Sequence, residues 1–380
     1  MKAPLRPFEY MAWAKSVPRG ARYDLTASGV ADVFGVDDGP FAADEIADWN
    51  RDIDLHSLCR RTDGETATRE LSESVARRYD LDPSCVTVTL AASAAIMHVL
   101  IALIRAGDHV VVERPTYEAL RRAPEILGAV VSRLDRRFDD GWAVVPERLA
   151  QLLTPRTRAV ILTNLHNPTG VATDSKALHA IAELASRVGA MILVDEVYLD
   201  HVWPSSDPIA MPAATVARNT LSWTSTTKAF GVSAIRAGWI VTPDADAARA
   251  VRAAADYLHV NPPVATARLG TRVLDHSEAL LARARGIAEV GRQVIDAWIA
   301  GESRVAWIPP SAGLTGFVRL PSFMQDIPFA EHLRQRYDTQ VVPGSMFEAP
   351  GFVRVSFGID PALLKVGLES FSSALDDLTH

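Results

Sequence analysis

The chain has 380 residues, 48% of them hydrophobic and 22% charged, with a formal net charge of −7. That make-up excludes a disordered chain, and the length exceeds one small core, so two domains or one large α/β unit are expected. The acidic balance without a dense Lys/Arg block argues against a nucleic-acid partner. The only two cysteines, Cys59 and Cys85, give no disulfide framework and fit a cytoplasmic setting.

Residues 1–45 mix Pro, Gly and aromatics without a clear period and read as an arm or as part of a smaller domain. The opening "MKAPLRPFEYMAWAKS" lacks a secretory signal's apolar stretch. From residue 84 short β-branched runs alternate with helical segments. "CVTVTL" predicts a strand and "SAAIMHVLIALI" a buried helix, too short to span a bilayer. "HVVVE", "AVVSRL", "RAVILT" and "AMILVD" predict further strands, separated by the helices "YEALRRAPEILG", "PERLAQLL" and "SKALHAIAELASRV". Their near-continuous apolar character is that of strands covered on both faces, and the strand–helix–strand repetition implies a mainly parallel sheet. Runs at 220–224 and 237–242 extend it. Beyond 265 one long helical stretch leads into the short strands "RVAWI", "LTGFVRL", "TQVVP" and "FVRVSF". With helices near 328–336 and 361–377, these predict a smaller α+β domain.

Open α/β sheets bind ligands beyond the carboxyl ends of their strands, and the chemically distinctive residues follow those strands. "AAS" opens a helix after "CVTVTL", where free N–H groups suit an anion. "NLHNPTG" follows "RAVILT", "DEVY" follows "AMILV", and "STTK" follows "TLSWT". The lysine is the informative residue. Of 39 basic residues five are lysines (Lys2, Lys15, Lys176, Lys228 and Lys365), and an arginine cannot do what an amine does in imine chemistry because it is never deprotonated. A lone lysine closing a strand is ordinarily a surface cation; the surrounding motifs decide otherwise.

"AAS", "RPTY", "NPTG", "DEVY", "STTKAFGVSAIRAGW" and "FVRVSFG" together resemble, in order and approximate spacing, the fold-type I enzymes of the class I/II (aspartate) aminotransferase superfamily. The resemblance implies a pyridoxal 5′-phosphate enzyme of α/β fold, its mainly parallel seven-stranded sheet sandwiched by helices. It implies a large cofactor domain at 45–265, and a smaller α+β domain from 1–44 and 266–380. It also implies a homodimer with its sites at the subunit boundary. Carried over by position, Lys228 holds the cofactor as a Schiff base and then serves as general base and acid. Asp195 keeps the pyridine nitrogen protonated, Tyr198 and Asn167 bond the phenolic oxygen, and Tyr117 stacks on the ring. The phosphate rests on Ala92, Ser93, Ser225 and Arg236. Arg354 clamps the substrate carboxylate, an arginine in an apolar strand being costly to bury without an anion; Ser28, Gly29 and Asn167 complete the substrate side.

The stretch "LHSLCRRTDG" departs from the family in lacking a tyrosine before its Gly. Ala91 replaces the usual glycine of the anion-binding helix start, and Ala94 the usual glutamate after the serine. The reaction expected is transfer of an amino group from an L-amino acid to a 2-oxo acid. A lyase, decarboxylase or cyclase of the capreomycidine-synthase kind is the alternative on the same scaffold. A nicotinamide dehydrogenase lacks its G-x-G-x-x-G here. A DNA-binding regulator would need a basic extra domain for which the amino terminus has neither room nor charge. No metal site is expected, since His56 and Cys59 form an isolated H-x-x-C. His166 is expected to point to solvent from its loop, and no membrane partner is expected.

Overall fold

The computed structural model describes residues 6–17, 20–33, 49–51, 53, 58, 60–201, 211–310 and 312–379. His56, Cys59 and two further residues of the tyrosine-free stretch before Gly64, Leu55 and Ser57, lie outside the described residues.

Strand β1 is Tyr23–Asp24. The predicted runs then become β2 (Val86–Leu90), β3 (His109–Arg114), β4 (Val130–Asp135), β5 (Thr157–Thr163), β6 (Met191–Asp195), β7 (Thr220–Ser225) and β8 (Ala237–Val241). These last seven form one sheet in the order β2-β8-β7-β6-β5-β3-β4. All neighbours run parallel except β8, which is antiparallel to both β2 and β7. The fold is therefore α/β with a mixed, mostly parallel sheet. Because β8 is reversed twice, β2 runs with β7, and the carboxyl ends of β2, β7, β6, β5 and β3 share one edge. Arg236, just before β8, returns the chain to that same edge.

The continuous apolar runs are explained by burial on both faces. Along β5, Ala159 and Ile161 enter one core while Val160 and Leu162 enter the other; β3 divides Val110 and Val112 from Val111 in the same way. Each such Val, Leu or Ile side chain contributes about 1.5–3 kcal/mol by leaving water, so the strands need no polar face. Helices Ala91–Leu103, Glu118–Ile126 and Ala245–Leu258 cover the first face. Pro146–Leu152, Ser175–Ser186, Arg61–Tyr79 and Val264–Asp275 cover the second. The helices Arg61–Tyr79 and Ala245–Leu258 were not singled out by the periodicity reading.

The remaining strands are β9 (Ala306–Trp307), β10 (Thr315–Arg319), β11 (Thr339–Gln340), β12 (Val342–Pro343) and β13 (Phe352–Ser356). A four-stranded sheet, β12-β13-β10-β9, packs against helices Ser277–Gly301, Asp326–Tyr337 and Pro361–Thr379 in a separate core. Two expectations are corrected here. The single helical stretch from 265 is two helices that break at His276. "TQVVP" is not one strand: β11 pairs in parallel with β1, while β12 pairs with β13. The amino-terminal segment thus divides its role, β1 pairing with β11 and helix Glu9–Ser16 lying at the strand-end edge.

Candidate active site

The strand ends enclose a cavity of about 370 Å³. Lys228, Asp195, Tyr198, Tyr117, Asn167, Ala92, Ser93, Arg236, Arg354 and Ser28 all line it; Ser225 and Gly29 do not.

The lysine stands on a four-residue helix, Thr226–Ala229, that continues β7. Ser225 is fully buried as its cap: its Oγ lies 2.7 Å from Thr227 Oγ1 and accepts the Thr227 N–H at 3.4 Å. Thr227 takes the place in the lining that the sequence reading gave to Ser225. Burial, reinforced by Arg354 and Arg236, lowers the Lys228 ammonium to about 8, with Asp195 opposing.

Asp195 ends β6. Its neighbour Glu196 turns into the core, where its carboxylate accepts the Ala213 N–H, so only the first acid of "DEVY" lines the cavity. Asp195 Oδ1 accepts the Val197 N–H at 3.2 Å. No cation lies within ion-pairing distance of it among the described residues. Burial raises its carboxyl from an ordinary 3.8 to about 6.

The sign of that shift makes a prediction. A carboxyl raised in the folded state contributes stability that is present below its ordinary value and lost as pH rises through about 6. A cation placed against it reverses that loss. A cofactor with a cationic ring nitrogen, as the sequence resemblance implies, would if bound against Asp195 be expected to raise the melting temperature more above pH 6 than below it. Asp195→Asn should flatten this dependence; a cofactor-induced shift of equal size at all pH values would contradict it.

Asn167 sits in a turn held by a buried network. Its N–H donates to Thr163 Oγ1 at 3.1 Å, Thr163 Oγ1 donates to Glu113 Oε1 at 2.6 Å, and Glu113 pairs with Arg136 at 2.9 Å. The turn closes at Gly170 (φ +71), where a Cβ would lie 2.5 Å from Pro310 Cβ and 2.8 Å from Thr315 O. His166 corrects an expectation, for it is buried rather than solvent-facing. Its ring nitrogens meet Thr169 Oγ1 at 2.7 Å and Pro115 O at 2.9 Å, and burial keeps it neutral by holding its pKa well below the usual value.

At the other end, helix Ala91–Leu103 begins without a side-chain cap, leaving N–H groups with partial positive charge. Ala91 holds φ +59 in place of a glycine. The backbone of Ala91 rests on Gly238, where a Cβ would meet it at 2.7 Å. Arg236 is exposed beside this helix start.

Arg354 on β13 is 1% exposed. Its guanidinium donates to Asn167 Oδ1 (3.2 Å), Tyr10 Oη (3.3 Å) and the Thr26 carbonyl (2.9 Å). Its Nε has no partner, and no carboxylate pairs with it among the described residues.

The sequence reading missed the roof. Helix Glu9–Ser16 places Tyr10, Met11 and Ala14 over the cavity. Glu118, next to Tyr117 and buried, accepts the Glu9 N–H at 3.1 Å and the Tyr10 N–H at 2.7 Å. No local pattern signals this, because the contact joins residues more than a hundred positions apart. Glu118→Ala, costing about 1–3 kcal/mol of local docking, is expected to raise KM for a small-molecule substrate bound in this cavity several-fold and to speed proteolysis within 6–17. The bound cofactor's absorbance should not change. An unaltered KM would show that the arm does not help to form the substrate site.

An uncapped helix start beside an arginine suits a phosphate, an unpaired buried carboxylate suits a cationic ring nitrogen, and a desolvated amine suits an aldehyde. A model of the family "Aminotransferase class I and II" matches residues 43–371. The chain belongs to that family. It is an enzyme of the pyridoxal 5′-phosphate-dependent aminotransferase superfamily, and that cofactor fits the residues found here. Capreomycidine synthase of Streptomyces vinaceus is 28% identical over 98% of this chain and 94% of its own length. Arginine–pyruvate transaminase of Pseudomonas aeruginosa is 29% identical over 77% of each. Among solved structures, a PLP-dependent aminotransferase from Streptococcus suis superposes with a TM-score of 0.85 at 28% identity, over 99% of both chains. A PLP-dependent cyclase, OrfR, superposes with a TM-score of 0.82 at 26% identity, again over 99% of both. Among the described residues no helix is long and apolar enough to cross a membrane.

Proposed function

We propose that this family member is an aminotransferase that moves the amino group of an L-amino acid to a 2-oxo acid. The observation carrying the reading is the pairing of Lys228, an amine lowered to about 8, with Arg354, a buried guanidinium lacking an anion. Together they supply what an α-amino acid needs: a proton acceptor for Cα and a bidentate partner for its carboxylate.

In this reading Ala92, Ser93, Thr227 and Arg236 hold the cofactor's phosphate, with Ser225 acting from behind as the cap that orients Thr227. Asp195 faces the ring nitrogen, Tyr117 covers the ring, and Asn167 and Tyr198 lie on the side of the phenolic oxygen. When bound, the cofactor supplies an electron sink for the bonds of Cα. Arg354 orients the amino acid, with Asn167, Ser28 and Gly29 shaping its surroundings. Lys228 takes the Cα proton and returns one, while the roof helix excludes water.

We further propose a cytoplasmic homodimer. The exposed apolar residues Tyr257, Leu258 and Val260 support a face covered by a second copy. The division into a cofactor unit at 45–265 and a smaller unit from 1–44 and 266–380 is also our reading. Separate hydrophobic cores support it, and helix Val264–Asp275 packs across the boundary onto the large sheet.

A second reading, cyclisation by way of elimination, is favoured by the full-length match to capreomycidine synthase. One experiment separates the two. Purified, cofactor-loaded protein is given single amino acids while the cofactor absorbance and free 2-oxo acid are followed. Transamination without an acceptor converts the cofactor to its amine form in one turnover and then stops. Repeated turnover of an amino acid alone, with the aldehyde form retained, would overturn the aminotransferase assignment in favour of elimination.

A further inference from the structure

We propose that Ser28 is a positioning residue for Lys228: its hydroxyl holds the lysine's proton and fixes the amine toward the substrate whenever that amine is not covalently engaged. This rests on the reading that Lys228 carries the cofactor.

Lys228 Nζ donates to Ser28 Oγ at 2.5 Å, the amine's hydrogen-bond partner among the described residues. The serine is held from several sides. Tyr198 donates its hydroxyl to the Ser28 carbonyl at 2.7 Å. Two residues on, the Val30 N–H donates to the carbonyl of Lys228 itself at 2.9 Å. Between them Gly29 lies so close to the lysine's turn that a Cβ would meet Thr227 O at 3.0 Å and Lys228 O at 3.4 Å. The segment is pressed backbone to backbone against the lysine, and the hydroxyl's position is fixed by that contact rather than by its own rotamer alone.

The remaining groups around the amine come from every side of the cavity. Asp195 and Tyr198 follow β6, Arg236 precedes β8, Arg354 comes from β13, Tyr117 follows β3, and Tyr10 comes from the roof. Arg354 and Arg236 oppose a proton on the amine and Asp195 favours it, with burial the largest influence. A hydroxyl that accepts from an ammonium also favours the charged form. It does so without the full negative charge of a carboxylate, which would keep the amine protonated and useless as a base. A neutral acceptor at this position stabilises the proton while leaving it transferable.

The test uses full-length wild type, Ser28→Ala and Ser28→Thr, each loaded with pyridoxamine phosphate so that Lys228 is not covalently engaged. Trace acylation of Lys228 is measured by peptide mass spectrometry as a function of pH. The midpoint for S28A is expected to fall by about one pH unit, and the lysine-dependent limb of the pH–rate profile should move the same way. S28T, which keeps the hydroxyl, should retain the wild-type midpoint. Should S28A not fold, Ser28→Gly, which adds no atoms, is read in the same manner. An unchanged midpoint in the hydroxyl-free variant overturns the inference. Borohydride reduction of the aldehyde-loaded wild type distinguishes the two failures: if Lys228 is modified and the midpoint still does not move, only the role of Ser28 is lost. If Lys228 is unmodified, the underlying reading is lost.

Discussion

Lys228→Ala is expected, on the proposed reading of Lys228, to lower turnover by about 10³-fold or more, since a positioned general base and acid contributes roughly 10²–10⁴ and covalent capture of the cofactor would be lost with it. The chain should still fold. Lys228 is partly exposed to the cavity and has no ion pair within bonding distance among the described residues, so truncation leaves no buried charge uncompensated. Bound cofactor should still be detectable in the variant through its phosphate and ring contacts, but no longer fixable to the protein by borohydride. Stopped-flow absorbance against peptide mapping makes the check. A variant that turns over at near wild-type rate would place the chemistry on another group.

Arg354→Ala carries the second large effect. The guanidinium is buried without an anion among the described residues and its Nε–H has no partner, so on the proposed reading a substrate carboxylate would gain a charge-assisted, desolvated partner on binding. Loss of such a partner costs about 2–5 kcal/mol, which predicts a fall in kcat/KM of roughly 30- to 5,000-fold, mostly in KM. Arg354→Lys should recover little of this, because an ammonium does not match the planar fork. The truncation also leaves Asn167 Oδ1, Tyr10 Oη and the Thr26 carbonyl without their donor, so a melting measurement must accompany the kinetics. A KM within a few-fold of wild type would rule out Arg354 as the carboxylate clamp.

Particular elements show why some features were readable in advance. The strands were legible because burial on both faces demands unbroken apolar runs, as in "HVVVE" and "AMILV". Helix Arg61–Tyr79 was not, because charged residues dominate its sequence and obscure its buried stripe of Ala67, Leu71 and Val75. His166 misled for the opposite reason. It lies in a loop, where solvent is the ordinary expectation, yet the loop folds inward over Pro115 and both ring nitrogens find partners. Ser225 shows what local sequence leaves open: its place before a four-residue helix makes it a cap bonded to Thr227, and Thr227 lines the cavity.

The residues that end strands were determined by the sequence alone, because chain direction and side-chain period place Lys228, Asp195 and Asn167 on one edge once the sheet is parallel. Tertiary structure alone decided what surrounds them. Glu118 gripping the roof helix, Tyr10 reaching Arg354, and Ser28 bonded to Lys228 join segments from 108 to 344 positions apart. No local spacing encodes such contacts; they exist only because two sheets and an arm close over the same edge and exclude water from it.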